Sequence, residues 1–299
     1  MAHKRTKENV HWEGVITNIH ARILTKLARY RYLTLSQLLQ IGVGTTQYKY
    51  LWKQAASLRD RKHPLVKCQR FSVSQTSKNQ PPKRVEDWYY LNEAGKRALL
   101  DELNYDGQIK MPISRASLPY KDYQHRIRTI NFQIKLDQWA EQNEVQVLFF
   151  DTYFDKEGNN RVDKNLRAKT RIALAQDDFF IPDGAFKIIK EDQERFFLME
   201  TYNGKDTSRT IHQLHKHALA LTKRYTHQAY NLPSNKSYNI VLIFEYESHL
   251  KAVIERIQTK EPSFQIIQKY FRAKSLEQLE NTNFFEHWST LGGEEVSLV

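Results

Sequence analysis

Apolar residues near the start of the chain recur every three or four positions. This spacing predicts an amphipathic helix that ends near Tyr30. Its apolar residues are Ile16, Ile19, Ile23, Leu24 and Leu27. Residues 1–15 before it are rich in basic side chains and predict a short flexible arm without the apolar stretch of a secretion signal.

Two further helices follow in the same pattern. Thr34 is the expected N-cap of a short second helix over residues 33–39. Gly42 and Gly44 then interrupt the pattern, and a third helix is predicted from Thr45 or Thr46 to about Leu58. A short helix, a glycine-containing turn and a polar, basic helix are typical of a helix-turn-helix.

Two predicted strands complete this part of the chain. They cover Pro64–Phe71 and Trp88–Leu91, and they flank a polar tip that contains prolines, from Ser72 to Asp87. Another helix is expected from Asn92 onwards. Three helices and a two-stranded wing predict a winged-helix DNA-binding domain over residues 16–103.

The polar residues of the third helix and of the wing are the candidate DNA contacts. The helix offers Gln47, Lys49, Lys53 and Gln54 to base edges or phosphates. The wing offers Lys78, Lys83 and Arg84 to the phosphate backbone. The alternative is a three-helix domain used for dimerisation, in which Lys49 and Lys53 are simply solvated.

A segment rich in glycine, proline and serine, residues 104–120, predicts a linker to a second domain over residues 121–299. The pattern there predicts a long helix, one strand, two opposed strands, a helix and another strand, before two final helices. The predicted bounds are a helix over Asp122–Asn143, a strand over Val145–Phe150, strands at 179–189 and 196–202, a helix from about Ser208 to Tyr225, a strand over Tyr238–Tyr246, and helices beginning near Ser248 and Ser263.

Each of the two opposed strands carries one carboxylate where an apolar residue would be expected. If the chain folds back between Glu191 and Asp192, Asp183 lies opposite Glu200. Directly opposed residues on one sheet face have Cβ atoms about 4.5–5.5 Å apart, and two carboxylates that close repel unless a cation or a proton lies between them. Oxygen ligands of this kind suit Mg²⁺ or Mn²⁺, which predicts metal-dependent phosphodiester chemistry. In the alternative interpretation, Pro182-Asp183-Gly184 is an ordinary turn and Glu200 marks the end of a strand.

Composition narrows the class of protein. The 299 residues carry a formal charge of +12, from 46 basic and 34 acidic side chains, which favours a polyanionic partner, above all nucleic acid. Cys68 is the single cysteine, so an internal disulfide is excluded and a reducing cytoplasm is expected. No stretch approaches the roughly eighteen consecutive apolar residues of a membrane span, and no membrane partner is expected.

The order of elements in the second domain resembles the core of the restriction-endonuclease-like nucleases, a mixed-sheet α/β fold. In that fold a Pro-Asp pair lies on the second strand and an acid-x-Lys triplet on the third. Pro182 and Asp183 match the pair and Glu200 matches the acid, but Tyr202 stands where the lysine is usual. Lys205 or Lys216 could supply that positive charge from another position.

The winged helix followed by this core resembles the plasmid replication-relaxation family, which includes the MobC-type mobilisation relaxases. The resemblance covers roughly Ile16 to Tyr246. It implies a protein that recognises a plasmid origin and nicks one strand with acidic residues and a divalent metal, alongside other relaxosome or replication proteins. Asp183 and Glu200 carry over as catalytic and metal-binding residues; His125, Asp151 and Lys216 are further matches.

Several other residues are candidates for the same chemistry. Arg167, Lys169 and Arg171 lie in a basic stretch expected to contact a phosphate backbone, with a solvated loop as the alternative. Glu144, or Glu141, is a candidate third metal ligand at the end of the long helix. The cluster of His212, His215 and His217 is interpreted as solvated or DNA-facing rather than as a metal site.

These observations lead to one hypothesis and its rivals. The chain is expected to be a cytoplasmic protein whose winged helix finds double-stranded plasmid DNA and whose second domain nicks it with Mg²⁺ or Mn²⁺. Its main rival is a non-enzymatic origin-binding protein with a degenerate nuclease core. An RNA-binding protein, and a covalent mechanism through Tyr202 or Tyr225, are minor alternatives.

Overall fold

The computed structural model shows a mixed α/β protein and describes residues 15–73, 83–112, 122–158, 166–175 and 178–298. Contacts divide the chain into two compact units, Met1–Gln124 and His125–Val299, called here the first and second units. The mixed α/β class expected from the sequence is confirmed. The predictions for the N-terminal arm, for Lys78, for the side chain of Lys83 and for residues 113–120 of the linker lie outside the described residues.

Three helices open the first unit, as the apolar spacing predicts: α1 (Asn18–Tyr30), α2 (Leu35–Ile41) and α3 (Tyr48–Arg59). The prediction that Thr34 caps α2 is confirmed. The Gln37 backbone N–H donates to Thr34 Oγ1 at 3.2 Å, and the Thr34 backbone N–H donates to Gln37 Oε1 at 3.0 Å. Gly42 ends α2 in the left-handed conformation, with φ of 80°, which turns the chain toward α3.

Antiparallel strands follow the helices. Strand β1 (Val66–Gln69) pairs with β4 (Trp88–Leu91), and the shorter β2 (Ser72–Val73) pairs with β3 (Lys83–Arg84). Helix α4 (Glu93–Asp101) packs closely on the start of this sheet, because a Cβ on Gly95 would lie only 2.2 Å from the Leu65 carbonyl oxygen. Three helices followed by paired antiparallel strands have the order of elements that the pattern predicts for this part of the chain.

The second unit is built on a seven-stranded mixed sheet with the order β15-β14-β13-β12-β11-β10-β5. Helix α5 (Tyr123–Gln142) begins at the boundary between the units. The strands of the sheet are β5 (Gln146–Thr152), β10 (Gly184–Lys190), β11 (Gln193–Tyr202), β12 (Asn239–Phe244), β13 (Phe271–Ser275), β14 (Trp288–Ser289) and β15 (Glu295–Val296). Outside it, two short pairs are formed by β6 (Lys156–Glu157) with β7 (Arg167–Ala168) and by β8 (Ile172–Ala173) with β9 (Phe179–Phe180). The other helices are α6 (Thr207–Thr222), α7 (Tyr225–Tyr230), α8 (Glu247–Lys260) and α9 (Leu276–Asn281).

The hairpin of β10 and β11 has the register that the sequence predicts. Gly184 pairs with Met199, and Lys190 pairs with Gln193. Glu191 and Asp192 form the turn, both with positive φ, 52° and 61°, as two-residue hairpin turns require. Continued by one residue, this register sets Asp183 opposite Glu200.

The direction of the strands brings several chain ends to one edge of the sheet. Strands β11, β12 and β13 are parallel, while β10 runs antiparallel to β11 and to β5. The carboxyl ends of β5, β11, β12 and β13 therefore lie at the same edge as the amino end of β10. This edge, called here the carboxyl edge, is where open α/β sheets usually carry their sites.

The end of the chain differs from the prediction. The helix expected near Ser263 is wrong: Pro262–Phe264 is a single 3₁₀ turn, and β13, α9, β14 and β15 follow it. Strand β13 has little apolar alternation because it includes Lys274, whose ammonium is buried and donates to Thr282 Oγ1 at 2.9 Å and to the Asn283 carbonyl at 2.8 Å. The helix expected to reach Tyr225 ends at Thr222. Among the described residues, none of the helices has the length and apolar character needed to cross a membrane.

Candidate functional site

Asp183 lies at the carboxyl edge, immediately before β10, and is only 7% exposed. Its two carboxylate oxygens have different partners. The backbone N–H of Thr201 donates to Oδ2 at 2.7 Å, and His125 Nε2 lies 2.7 Å from Oδ1. The chain therefore holds this carboxylate in one orientation through the strand next to it and through the first turns of α5.

Glu200 faces Asp183 from β11 and is 5% exposed. Its Oε1 lies 2.7 Å from Nε2 of His217, which is on α6 and is fully buried. Burial lowers the pKa of His217 to about 3, so the imidazole is neutral at physiological pH. The interpretation of His217 as solvated or DNA-facing is wrong, because its side chain is fully buried. Its partner Glu200 is 17 residues away, so no local pattern in the sequence reveals the contact.

Burial is the main reason why the pKa of Glu200 is raised well above its usual value, and repulsion from Asp183 and a hydrogen bond to it add to the shift. A hydrogen bond with the Asp183 backbone acts in the opposite direction. One proton shared by the two carboxyl groups would satisfy both. His217 Nδ1 is buried with no partner among the described residues. The tautomer protonated on Nε2 is therefore favoured, since it leaves a lone pair rather than an N–H without a partner.

A polar network holds the His125 imidazole that contacts Asp183. Nδ1 of His125 accepts from Asn203 Nδ2 at 3.0 Å, and Asn203 is also hydrogen-bonded by Arg128. Arg128 forms an ion pair with Glu245 at 2.6 Å, which is the main reason why the pKa of Glu245 is lowered. The Gly204 backbone N–H donates to the same carboxylate at 2.8 Å. These contacts join the carboxyl ends of β11 and β12 to α5.

Tyr202 follows Glu200 on the same face of β11. Its ring is buried, and its hydroxyl has no partner among the described residues. Burial, and then the charges of Glu200 and Asp183, raise the pKa of Tyr202 well above its usual value. The side chain at the usual lysine position is therefore a neutral phenol beside two carboxyl groups.

The structure does not bring the other predicted catalytic residues to this pair. The Lys216 ammonium donates to Asp178 Oδ1 at 3.2 Å and to the Phe179 carbonyl at 3.3 Å. Lys205 lies over the Tyr246 ring, 4.8 Å from its centroid. Glu144 precedes β5 at the far end of that strand, because Gln146 pairs with Ile189 whereas Thr152 pairs with Gly184 beside Asp183.

The three basic residues predicted to contact a phosphate backbone contact their own chain. Arg167 forms an ion pair with Glu157 at 2.8 Å, and Lys169 forms one with Asp151 at 3.3 Å. Arg171 lies over the Phe179 ring at 4.2 Å from its centroid. Asp151, a match from the resemblance, thus has Lys169 as its partner in this structure.

The donor set can be compared with what Mg²⁺ or Mn²⁺ needs. No group of three His, Cys, Asp or Glu side chains that could hold a metal occurs among the described residues. Mg²⁺, however, is commonly bound through one or two carboxylates together with waters and substrate phosphates. Asp183 and Glu200 fit that requirement in kind, since burial beside each other calls for a cation or a proton between them.

The first unit carries most of the positive charge of the chain. Between Val15 and Val73 there are eleven Lys and Arg residues and one acidic residue, Asp60. The net charge of the whole chain is +12. Lys49 and Lys53 are exposed on α3, and Gln47 at its N-cap is exposed, whereas Gln54 is half-buried. In the wing, Arg84 lies 3.3 Å from Asp87. Among the described residues, α3 thus presents two lysines to solvent without an ion-pair partner.

No protein-family model matches the chain, and a search of curated proteins gives no significant match, so the assignment of function depends on the geometry and charges of the chain itself.

Proposed function

We propose that this chain is a DNA-binding protein whose second unit nicks one strand of double-stranded plasmid DNA in a reaction that needs Mg²⁺ or Mn²⁺. One observation carries the proposal: Asp183 and Glu200 are opposed and buried at the carboxyl edge of the sheet. Burying two carboxyl groups together is costly unless their charge has a use or a partner. The plasmid origin as target follows from the family resemblance alone.

The two carboxylates and the two neighbouring histidines would have different roles. Asp183 and Glu200 would hold the cation, which when bound polarises a phosphate oxygen or lowers the pKa of a water. His125, held by Asn203, orients the Asp183 carboxylate, and His217 orients that of Glu200. Orientation by a neighbouring imidazole keeps the oxygens in place when the shared proton leaves.

The charge of the first unit supports DNA as the partner. Eleven basic residues against one acidic residue within residues 15–73 give a strongly positive surface around a helix-turn-helix. Neutralising phosphates with such side chains releases counterions, so affinity should fall steeply with salt.

The test is nicking of a supercoiled plasmid carrying the proposed origin, with Mg²⁺, with Mn²⁺ and with chelator. Open circles should form only with metal and should be lost in Asp183→Ala and Glu200→Gln. Glu255→Gln, which removes an exposed carboxylate on α8, is the matched control and should nick normally. Nicking that survives in both site variants would refute the assignment of the centre.

The second candidate is a non-enzymatic origin-binding protein with a degenerate nuclease core. It is favoured by Tyr202 at the usual lysine position and by the engagement of Lys216 with Asp178. Titration of the whole chain with Mn²⁺, followed by electron paramagnetic resonance, separates the two. A site lost in Glu200→Gln but kept in Glu255→Gln supports the nuclease; plasmid binding with no Mn²⁺ site supports the second candidate.

A further inference from the structure

The first half of α3 exposes three large aromatic side chains: Tyr48, whose hydroxyl donates to Glu86, and Tyr50 and Trp52, which lie beside the lysines of the helix. Trp52 is 47% exposed and Tyr50 is 42% exposed, although tryptophan and tyrosine are usually largely covered. Lys49 and Lys53 are exposed next to them, and neither has an ion-pair partner among the described residues. The aromatic residues are therefore part of the same surface that the proposed function assigns to DNA.

Helical geometry sets the order of these side chains around α3. Leu51, Ala55 and Leu58 are fully buried and define the inner face. At about 100° per residue, Lys49 and Lys53 lie opposite that face, with Trp52 on one side of them and Tyr50 on the other. The solvent face of α3 is thus a row of two lysines between two aromatic rings.

We propose that Trp52 and Tyr50 contact thymine methyl groups in the major groove and give the first unit a preference for sites rich in A·T pairs. This inference rests on the DNA binding in the proposed function. A helix of about 10–12 Å diameter fits a major groove about 12 Å wide, and the N-terminal residues of a recognition helix are those that contact base edges. Lys49, Tyr50, Trp52 and Lys53 all lie within the first six residues of α3.

The lysines and the aromatic residues of α3 suit different parts of the DNA. A lysine ammonium is a point charge that suits phosphates and discriminates weakly between bases. The thymine methyl is the apolar group on the base edges of this groove, and apolar side chains are its natural contacts. The charge of the surrounding segment, eleven basic residues to one acidic residue, favours a nucleic acid over a protein as the occupant of this face.

The test uses two labelled duplexes that differ only in the methyl group, alternating dA-dT and alternating dA-dU, with binding followed by fluorescence anisotropy. The whole chain should bind the thymine duplex more tightly, by about fourfold for each methyl group covered. Trp52→Ala should remove most of this ratio, and Tyr50→Ala part of it. Lys49→Ala should weaken both duplexes equally and lower the slope of affinity against salt by about one.

Leu100→Ala is the matched control, because Leu100 is an equally exposed apolar residue of the first unit on α4. It should keep the ratio. Equal affinity of the wild-type chain for both duplexes, or an unchanged ratio in Trp52→Ala, would overturn the inference while leaving DNA binding in place. Binding to neither duplex would instead overturn the proposed function. Tighter binding to single-stranded oligo(dT), lost in Trp52→Ala, would also overturn the placement in the groove, since it would assign Trp52 to stacking on unpaired bases.

Discussion

Replacement of Glu200 by glutamine should stabilise the second unit, and the gain should grow as the pH rises. The glutamine reproduces the protonated form of Glu200: its carbonyl oxygen accepts from His217 Nε2–H, and its amide N–H₂ donates toward Asp183. It differs in having no proton to lose. The repulsion that raises the pKa of Glu200 is therefore absent from the variant at every pH.

The magnitude follows from proton linkage. In the unfolded chain Glu200 ionises near its usual pKa of 4.5, whereas the folded chain keeps the proton because burial and Asp183 raise the pKa. Above pH 4.5 the folded state binds more protons than the unfolded state, so the wild type loses about 1.4 kcal/mol of stability per pH unit until the raised pKa is reached. Below pH 4.5 the two proteins should be equally stable to within the usual error.

The assay is urea unfolding in chelator at pH 5, 6, 7 and 8, with hydrogen exchange of peptides from β10 and β11 to report the second unit alone. Between pH 5 and pH 7 the difference in unfolding free energy should grow by up to about 3 kcal/mol in favour of the variant. Glu255→Gln should show no such trend. A difference independent of pH, or a variant less stable than the wild type at pH 8, would refute the shared-proton description.

Further predictions concern other parts of the chain. Gly95→Ala should destabilise the first unit by about 1–3 kcal/mol, because overlap with the Leu65 carbonyl outweighs the gain in helix propensity, and circular dichroism melts would show it. Burial lowers the pKa of Lys274 from 10.5 to about 8, so between these values the unfolded chain holds a proton that the folded chain lacks. The stability of the wild type relative to Lys274→Met should therefore rise from pH 8 to pH 10 in urea titrations, and a flat difference would contradict the burial of a charged ammonium. Asn203→Ala should remove one hydrogen bond that orients His125 and lower metal affinity by about 10–100-fold with little loss of stability, as measured by Mn²⁺ titration.

The sequence predicts local features of this fold well and distant contacts poorly. Apolar spacing and a capping residue determine α1 and α2, so both helices and Thr34 follow from the pattern. The opposition of Asp183 and Glu200 is predictable because a hairpin ties the two residues to one turn. The contacts of His125 with Asp183 and of His217 with Glu200 join residues 58 and 17 positions apart, and only the packing of α5 and α6 creates them.

The strands at the end of the chain are not predictable from the sequence for the same reason, because contacts between distant residues create them. Strands β14 and β15 are two residues long, too short for an alternation to be visible, and they exist because β13 offers them an edge. In β13 itself, Lys274 interrupts the apolar pattern, and its burial is made tolerable by Thr282, Asn283 and the Trp288 ring. None of these partners is adjacent to it in sequence.

Asp183 lies eight residues before Glu191, and Glu200 lies eight residues after Asp192. The two arms of the hairpin, from the turn to each carboxylate, are therefore equally long. One residue inserted in either arm would turn one carboxylate to the opposite face of the sheet, whereas one residue added to both arms would leave the two facing each other. The other side of β10 carries an irregularity, between Lys187 and Ile188, where it pairs with β5. Changes in chain length are thus tolerable on the β5 side, whereas between the carboxylates only changes that alter both arms equally keep Asp183 and Glu200 opposed, so arms of equal length about the turn are a more restrictive signature of this site than the identity of the residues between them.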